Sequence, residues 1–416
     1  MNLINTSLLS AVSTVVKLIS GFVIVKIVAV YVGASGLAFI GQFQNFISIL
    51  MSFATGAINS GVVKYTAEYR EDEIQKQKLW STAIRISLSA TFFVSLMLIL
   101  FHDYLSNLFF KTNEYSSLFI IFAITLVFFV LNSLMLAILN GQKEIKKFVL
   151  IGIISSLIGL IFTGLLSYYF GLYGALLSYT TGQALVFFVT LTFVFKSNWF
   201  KIKLFTDKLD KIYLRKLGGY TAMAMASALT VPISMMFIRT YIGENISWEG
   251  AGYWDAIWKI SAAYLMFVTT TLGLYYLPRL SEIKDNLELR EEVLNGYKII
   301  MPIVTIIALG IFVLKDFVIM ILFTKEFMPM KELFLYQLIG DVLKIAGWLL
   351  GYLMVARAMT KLFIVTEILF SLSFVLLSIF LIKLNGLAGV TMAFAINYFA
   401  YLLTMIYIFR NTLKKI

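Results

Sequence analysis

Charge is scarce in this chain. Only 13% of its 416 residues are Asp, Glu, Lys or Arg, and 60% are hydrophobic. A water-soluble domain is nearer half apolar and a quarter charged, so there is too little polar surface here to coat a particle in water. Lipid must be part of the solvent. Cysteine is absent, which excludes disulfides, thiolate metal sites and a cysteine nucleophile. His102 is the single histidine, and a zinc site or a Ser-His-Asp relay would want partners that the sequence mostly lacks. No Gly-x-x-x-x-Gly-Lys-Ser/Thr stretch occurs, so no ATP-binding loop is recognisable. No cofactor or metal is expected. The first apolar stretch runs on to Tyr31, too long for a signal-peptide core, and no small-residue cleavage site is evident.

What the chain does have is long apolar runs. A spanning helix needs about 20 mostly apolar residues. Twelve such runs are expected, at 8–31, 38–63, 80–101, 115–139, 148–169, 172–195, 217–241, 251–277, 298–323, 332–356, 362–384 and 387–409. Lys315-Asp316 interrupts the ninth, and the short turns at Tyr169-Phe170-Gly171 and Asn385-Gly386 make their neighbours antiparallel hairpins. The formal net charge is +12. In a soluble protein that would suggest nucleic acid; in a membrane protein Lys and Arg gather on the cytoplasmic side. Twenty-three cations fall in one set of loops: Lys64–Lys78, Lys143–Lys147, Lys196–Lys216, Arg279–Lys298, Arg357–Lys361 and the tail from Arg410. Only Lys111, Lys325, Lys331 and Lys383 fall opposite. The bias places both termini in the cytoplasm and makes a nucleic-acid partner unnecessary. No loop is long enough to fold as a separate domain, so the work is done inside the membrane.

The sequence repeats itself at an offset of 214 or 215 residues. Gly36, Phe39, Phe53 and Glu68 fall on Gly250, Tyr253, Phe267 and Glu282. Leu108, Phe109 and Lys111 fall on Leu322, Phe323 and Lys325, and Gly171-Leu172-Tyr173-Gly174 falls on Gly386-Leu387-Ala388-Gly389. An even number of helices per repeat keeps the halves parallel, about an axis along the membrane normal, and such halves commonly hold a substrate between them. The expected division is a six-helix lobe over 1–200, a basic cytoplasmic linker over 201–216 and a second six-helix lobe over 217–416.

A charge at the bilayer centre costs about 2.5–3.5 kcal/mol even on the lenient insertion scale. Seven cations nevertheless lie within the spans: Lys17, Lys26, Arg85, Arg239, Lys259, Lys315 and Lys344, against the acids Asp255, Asp341 and Glu367. Arg85 and Glu367 lie about a turn from the cytoplasmic face, Arg239 and Lys26 near the outer face, and their stems can snorkel. Lys17, Lys259, Asp341 and Lys344 are deeper; Lys344 is about 18 Å into its helix at about 1.5 Å per residue. Asp341 and Lys344 are spaced i, i+3, and Asp255 and Lys259 i, i+4, so each couple shares a helical face. Two readings follow. The couples are internal ion pairs that fasten helices, or they line a hydrated, mostly cationic cavity whose surplus charge an anionic ligand completes. Gln44 and Asn45 fall at the level of Trp258 and Lys259 in the repeat and would form a polar wall. Tyr253, Trp254, Trp258 and Tyr264 crowd one span, as sugar-stacking faces, core or interfacial belt.

The run Gly21-Phe22-Val23-Ile24-Val25-Lys26-Ile27-Val28-Ala29, with Tyr31-Val32-Gly33-Ala34-Ser35-Gly36-Leu37, resembles the opening of the Wzx-type oligosaccharide flippases. So does Gly61-Val62-Val63-Lys64-Tyr65-Thr66-Ala67-Glu68-Tyr69. These belong to the multidrug/oligosaccharidyl-lipid/polysaccharide exporter superfamily. Gln337-Leu338-Ile339-Gly340-Asp341-Val342-Leu343-Lys344, with Gly351-Tyr352-Leu353, looks particularly like the branch that flips lipid III in enterobacterial common antigen synthesis. The resemblance runs nearly end to end. It implies an all-α inner-membrane protein with a V-shaped pair of six-helix lobes and a basic central cavity. It implies as cargo an undecaprenyl-diphosphate-linked oligosaccharide, an O-antigen or common-antigen repeat unit, flipped to the periplasmic leaflet by alternating access. It also implies a monomer working beside a polysaccharide polymerase and a chain-length regulator, and roles for Lys26, Asp341 and Lys344. The expected cationic cavity is Lys17, Lys26, Arg239, Lys259 and Lys344. Asp255, Asp341 and Glu367 are its paired or ion-coupling acids, and Gln44 and Asn45 its polar wall. Two other readings remain: a cation-coupled multidrug exporter of the same superfamily, which would want intramembrane acids, and a membrane glycan polymerase, which would want a long outer loop. The longest, Phe101–Glu114, offers only His102 and Asp103.

Overall fold

The computed structural model describes residues 3–410, and among the described residues the chain is helical almost throughout, with no strand. The elements are α1 (Leu3–Tyr31), α2 (Gly33–Ala54), the short α3 (Asn59–Glu68), α4 (Glu73–Leu100), the short α5 (His102–Phe110), α6 (Ser116–Gly141) and α7 (Ile145–Phe195). A 3-10 turn at Ile202–Phe205 leads to α8 (Lys211–Asn245) and α9 (Trp248–Thr271). After a π turn come α10 (Leu277–Glu282), α11 (Asn286–Val313), α12 (Lys315–Leu322), a 3-10 stretch at Lys325–Leu333, α13 (Phe334–Ala356), α14 (Thr360–Asn385) and α15 (Ala388–Ile408).

Ten of the described helices are long and apolar enough to cross a membrane. One of them, α7, is two legs broken at Gly171, where φ is 54° and ψ −131°. The 24-residue α9 is also long enough but carries Glu249, Asp255 and Lys259. With these the twelve expected spans are accounted for. The protein is a multi-pass, all-α membrane protein.

Several boundaries differ from expectation; the ninth run, expected at 298–323, is α11 ending at Val313 with the separate α12 after it. The second span ends at Ala54 instead of running to residue 63, because the chain turns with Gly56 at φ +64° and Ala57 at φ +51° before α3 starts. The apolar residues continue through this turn and hide it. The stretch Phe101–Glu114 contains α5, closed by Lys111 in the left-handed region. Elsewhere polar caps set the starts. Asp72 accepts from the Gln75 amide, Asp285 from the Leu287 and Glu288 amides, and Ser247 from Gly250.

The described chain forms two compact units. The first comprises the chain up to Val32 with Phe39–Pro232; the second comprises Gly33–Ala38 and the chain from Ile233 on. Each runs through the same order of long helix, long helix, short helix, long helix, short helix, then three more long legs. The repeat extends to backbone detail at an offset of 215. Gly171 and Gly386 have φ of 54° and 60°, and Lys143 and Ala358 have φ of 58° and 52°. A Cβ on Gly174 would meet the Leu166 carbonyl oxygen at 1.9 Å, and one on Gly389 the Leu381 carbonyl oxygen at 2.2 Å. Both hairpins therefore close so tightly that only glycine fits.

In the first unit the stretch after α7 packs down instead of hanging free. Leu204 and Tyr213 are buried with Leu79, Trp80 and Ile138. Ser81 donates to the Leu204 carbonyl, the Asp210 amide donates to Thr82, and Lys201 pairs with Glu73 at 2.7 Å. Arg85 donates to the Asp207 carbonyl, so it serves this seam and not the lipid face. Lys216 donates to the Tyr69 hydroxyl and lies over the rings of Tyr65, Tyr69 and Tyr213.

In the second unit α13 is the central helix, and glycines set its distances. A Cβ on Gly340 would meet Phe394 at 2.3 Å, and one on Gly347 would meet Tyr401 at 2.5 Å, so α15 lies close along α13. Small residues permit such approach where water supplies no hydrophobic driving force. On α9, a Cβ on Gly252 would meet the Ala34 carbonyl oxygen at 1.8 Å. Outward faces are apolar instead: Leu369, Leu372, Leu376 and Phe380 form one exposed stripe on α14.

Gly252→Ala should therefore cost about 1–3 kcal/mol, as overpacking does, and lower the melting temperature of the detergent-solubilised protein. Gly310→Ala, whose added methyl meets nothing within 4 Å, should leave it unchanged.

Candidate functional site: the charged groups within the spans

Three arrangements hold six of the intramembrane charges. The first lies inside the first unit. A cavity of about 430 Å³ is bounded by α1, α6 and both legs of α7. Lys17, Ser20 and Gly21 come from α1, Gly152, Ser155, Ser156 and Gly159 from the first leg of α7, and Gln183 from the second. Lys17 lies along Gly152, whose missing side chain makes room: a Cβ there would meet Lys17 Cε at 3.3 Å. Gln183 is held in place, accepting from Asn132, which in turn accepts from Thr190. Lys17 has no carboxylate partner among the described residues.

The second is a triad in the second unit. Arg239 on α8 donates to Asp255 Oδ1 at 2.7 Å, and Lys259 approaches Asp255 Oδ2 at 3.1 Å. Arg239 and Asp255 are each only 4% exposed, and the Arg239 guanidinium lies 5.8 Å from the Trp254 ring centre. The i, i+4 couple on α9 therefore forms, and it is shared. Arg239, which could have snorkelled outward, turns inward to the same carboxylate.

The third joins α9, α13 and α15. Asp341, 1% exposed, accepts from Ser261 at 2.6 Å and Tyr264 at 2.9 Å, with Gln337 of its own helix at 3.4 Å. Lys344 is not among its bonded partners, despite the i, i+3 spacing. The lysine turns to aromatic rings. Its Nζ lies 4.7 Å from the centre of Trp348, 5.3 Å from Trp258 and 5.6 Å from Tyr398. A cation over a ring face is attracted by the ring quadrupole, by about 0.5–2 kcal/mol depending on desolvation. Lys344 has no carboxylate within ion-pair distance among the described residues.

The remaining expected positions are placed as follows. Lys26 is half-buried on α1 and does not line the cavity around Lys17. Glu367 is half-buried on α14, near enough to act on Lys344 through its charge. Gln44 and Asn45 are half-buried in the first unit, and the Asn45 amide nitrogen has no hydrogen-bond partner. Lys315 starts α12 with its ammonium 4.1 Å from the Phe312 ring centre. Sequence reasoning missed Ser261 and Gln337 as the bed of Asp341, and Trp348 and Tyr398 as the seat of Lys344. The i, i+4 spacing of Lys344 and Trp348 was available as a signal; Tyr398 lies on another helix and left none.

The fold is that of known membrane transporters. The chain superposes on an inward-facing multidrug resistance MATE family transporter of the MOP superfamily with a TM-score of 0.79, at 15% identity, covering 96% of this chain and 94% of that one. It also superposes on the lipid II flippase MurJ in an inward closed conformation, with a TM-score of 0.72 at 17% identity, covering 98% and 87%. Residues 43–332 match the family described as "Polysaccharide biosynthesis protein". The chain is 30% identical over 405 residues to the lipid III flippase of Escherichia coli (strain K12), covering 96% of both. It belongs to this polysaccharide biosynthesis protein family.

Breaking a buried ion pair by removing one partner costs about 3–5 kcal/mol. Asp255→Leu should therefore sharply reduce the thermal stability of the purified protein. Asp341→Asn, which keeps an acceptor for Ser261 and Tyr264, should lower it much less.

Proposed function

We propose that the protein flips a lipid-linked oligosaccharide, attached through a diphosphate to a polyprenyl chain, from the cytoplasmic to the outer leaflet of a bacterial inner membrane by alternating access. The observation that carries this reading is the pair of membrane-embedded lysines without a carboxylate partner: Lys17 against the cavity of the first unit and Lys344 among aromatic rings in the second. A diphosphate stripped of water in an apolar environment needs charged donors at hand. Relatives whose names are lipid III flippase and lipid II flippase support the same reading.

In this reading the two six-helix lobes are the working halves, both termini face the cytoplasm, and the role is translocation and not bond-making. Arg239 and Lys259, held at Asp255, add positive potential within the second unit, where Glu367 adds a further polar group, and Lys26, Gln44 and Asn45 add polar groups within the first. The likeness to a multidrug transporter raises a rival, but a cationic drug wants acids ready to receive it. Here Asp255 already holds two cations and Asp341 three donors. The cargo is an O-antigen or common-antigen type unit, and a monomer delivers it to a polysaccharide polymerase and its chain-length regulator.

Lys17→Gln combined with Lys344→Gln should lower surface glycan at least tenfold when expressed in a strain lacking its own flippase of this kind, at unchanged membrane abundance. Lys315→Gln should support wild-type glycan. Wild-type export by the double variant would overturn the proposal.

A further inference from the structure

Lys344 occupies a seat that fits another guest. Three helices bring Trp258, Trp348 and Tyr398 around its ammonium. Two of its three rings do not depend on the lysine for their position. Trp258 packs edge-on against Phe394 at 5.1 Å and against Trp254 at 6.2 Å. Tyr398 packs edge-on against Phe394 at 4.8 Å and Tyr401 at 6.1 Å. Rings fixed from behind stay in place when the group in front of them leaves. The buried indole nitrogen of Trp258 has no hydrogen-bond partner. A buried donor left unmade costs about 1–3 kcal/mol, and a lysine, which has no acceptor, cannot satisfy it.

We propose that this seat is a saccharide-binding platform which Lys344 covers at rest and the diphosphate of the cargo uncovers. The inference rests on the anionic headgroup proposed above and adds where the sugar goes. The apolar C–H face of a pyranose stacks on aromatic rings of the kind that now surround the lysine ammonium, and a sugar hydroxyl or acetamido oxygen accepts the Trp258 N–H. Exchange runs in this direction because charge-assisted hydrogen bonds to phosphate are stronger than a cation–π contact. An anion without a sugar leaves the rings bare, and a neutral sugar without an anion meets a seat already taken. Only a headgroup bearing both satisfies lysine and platform together, so the arrangement selects cargo that is phosphorylated and glycosylated.

The test uses the full chain in nanodiscs, with intrinsic tryptophan fluorescence read during titration with N-acetylglucosamine. Lys344→Ala should bind the free sugar at least tenfold more tightly than wild type. Lys344→Met, whose unbranched chain still fills the seat, should not. Adding Trp348→Leu to Lys344→Ala should remove the gain. Saturating pyrophosphate should give the wild-type protein a gain of the same size, an arm that needs no variant to fold. Equal sugar binding by wild type and Lys344→Ala, or a gain that survives Trp348→Leu, would overturn the platform. If pyrophosphate does not bind wild type at all, the anionic-headgroup reading fails instead, and the Lys344→Ala titration still decides the platform.

Discussion

The cost of holding charge away from water governs this molecule. Nearly every departure from a plain bundle of apolar helices traces to that cost. Within the spans the chain meets it in four ways. Arg239 and Lys259 share the carboxylate of Asp255. Asp341 is surrounded by hydroxyl and amide donors. Lys344 sits over three aromatic rings, and Lys17 faces a cavity large enough for water or a ligand. The first two arrangements are complete within the protein. The other two leave an ammonium whose strongest partner is still to arrive.

Packing makes these arrangements possible. Gly340 and Gly347 bring α15 against α13, which carries Tyr398 to Lys344. Gly252 lets α9 lie against the backbone at Ala34, and α9 is the helix that carries Asp255, Trp258, Lys259, Ser261 and Tyr264. It is also the long helix least suited to lipid by composition. Its polarity is tolerable because Asp255 and Ser261 are buried against α8 and α13.

Much of this was legible in the sequence, for physical reasons. Span number follows from the length of apolar runs, and the internal repeat follows from glycines at Gly171 and Gly386 whose backbone no other residue adopts easily. Membrane-embedded charges announce themselves because each needs a reason. Their partners were harder. Helical spacing correctly joined Asp255 to Lys259 but also suggested Asp341 with Lys344, where partners from α9 and α15 prevail. Spacing along one helix carries no information about which neighbouring helix arrives, and tertiary contacts of Asp341 with Ser261 and Tyr264 outweigh it. The turn at Gly56-Ala57 was hidden because apolar residues continue through it.

The central claim is that the unpaired lysines recognise the phosphate of the cargo. Proteoliposomes holding the protein can be given a fluorescent saccharide on a polyprenyl diphosphate, or the same saccharide on an uncharged polyprenyl ether. The account predicts that the wild type flips the diphosphate at least tenfold faster than the ether and that Lys17→Gln with Lys344→Gln abolishes this preference. Equal rates for the two lipids with the wild type, or a preference that survives in the double variant, would contradict it.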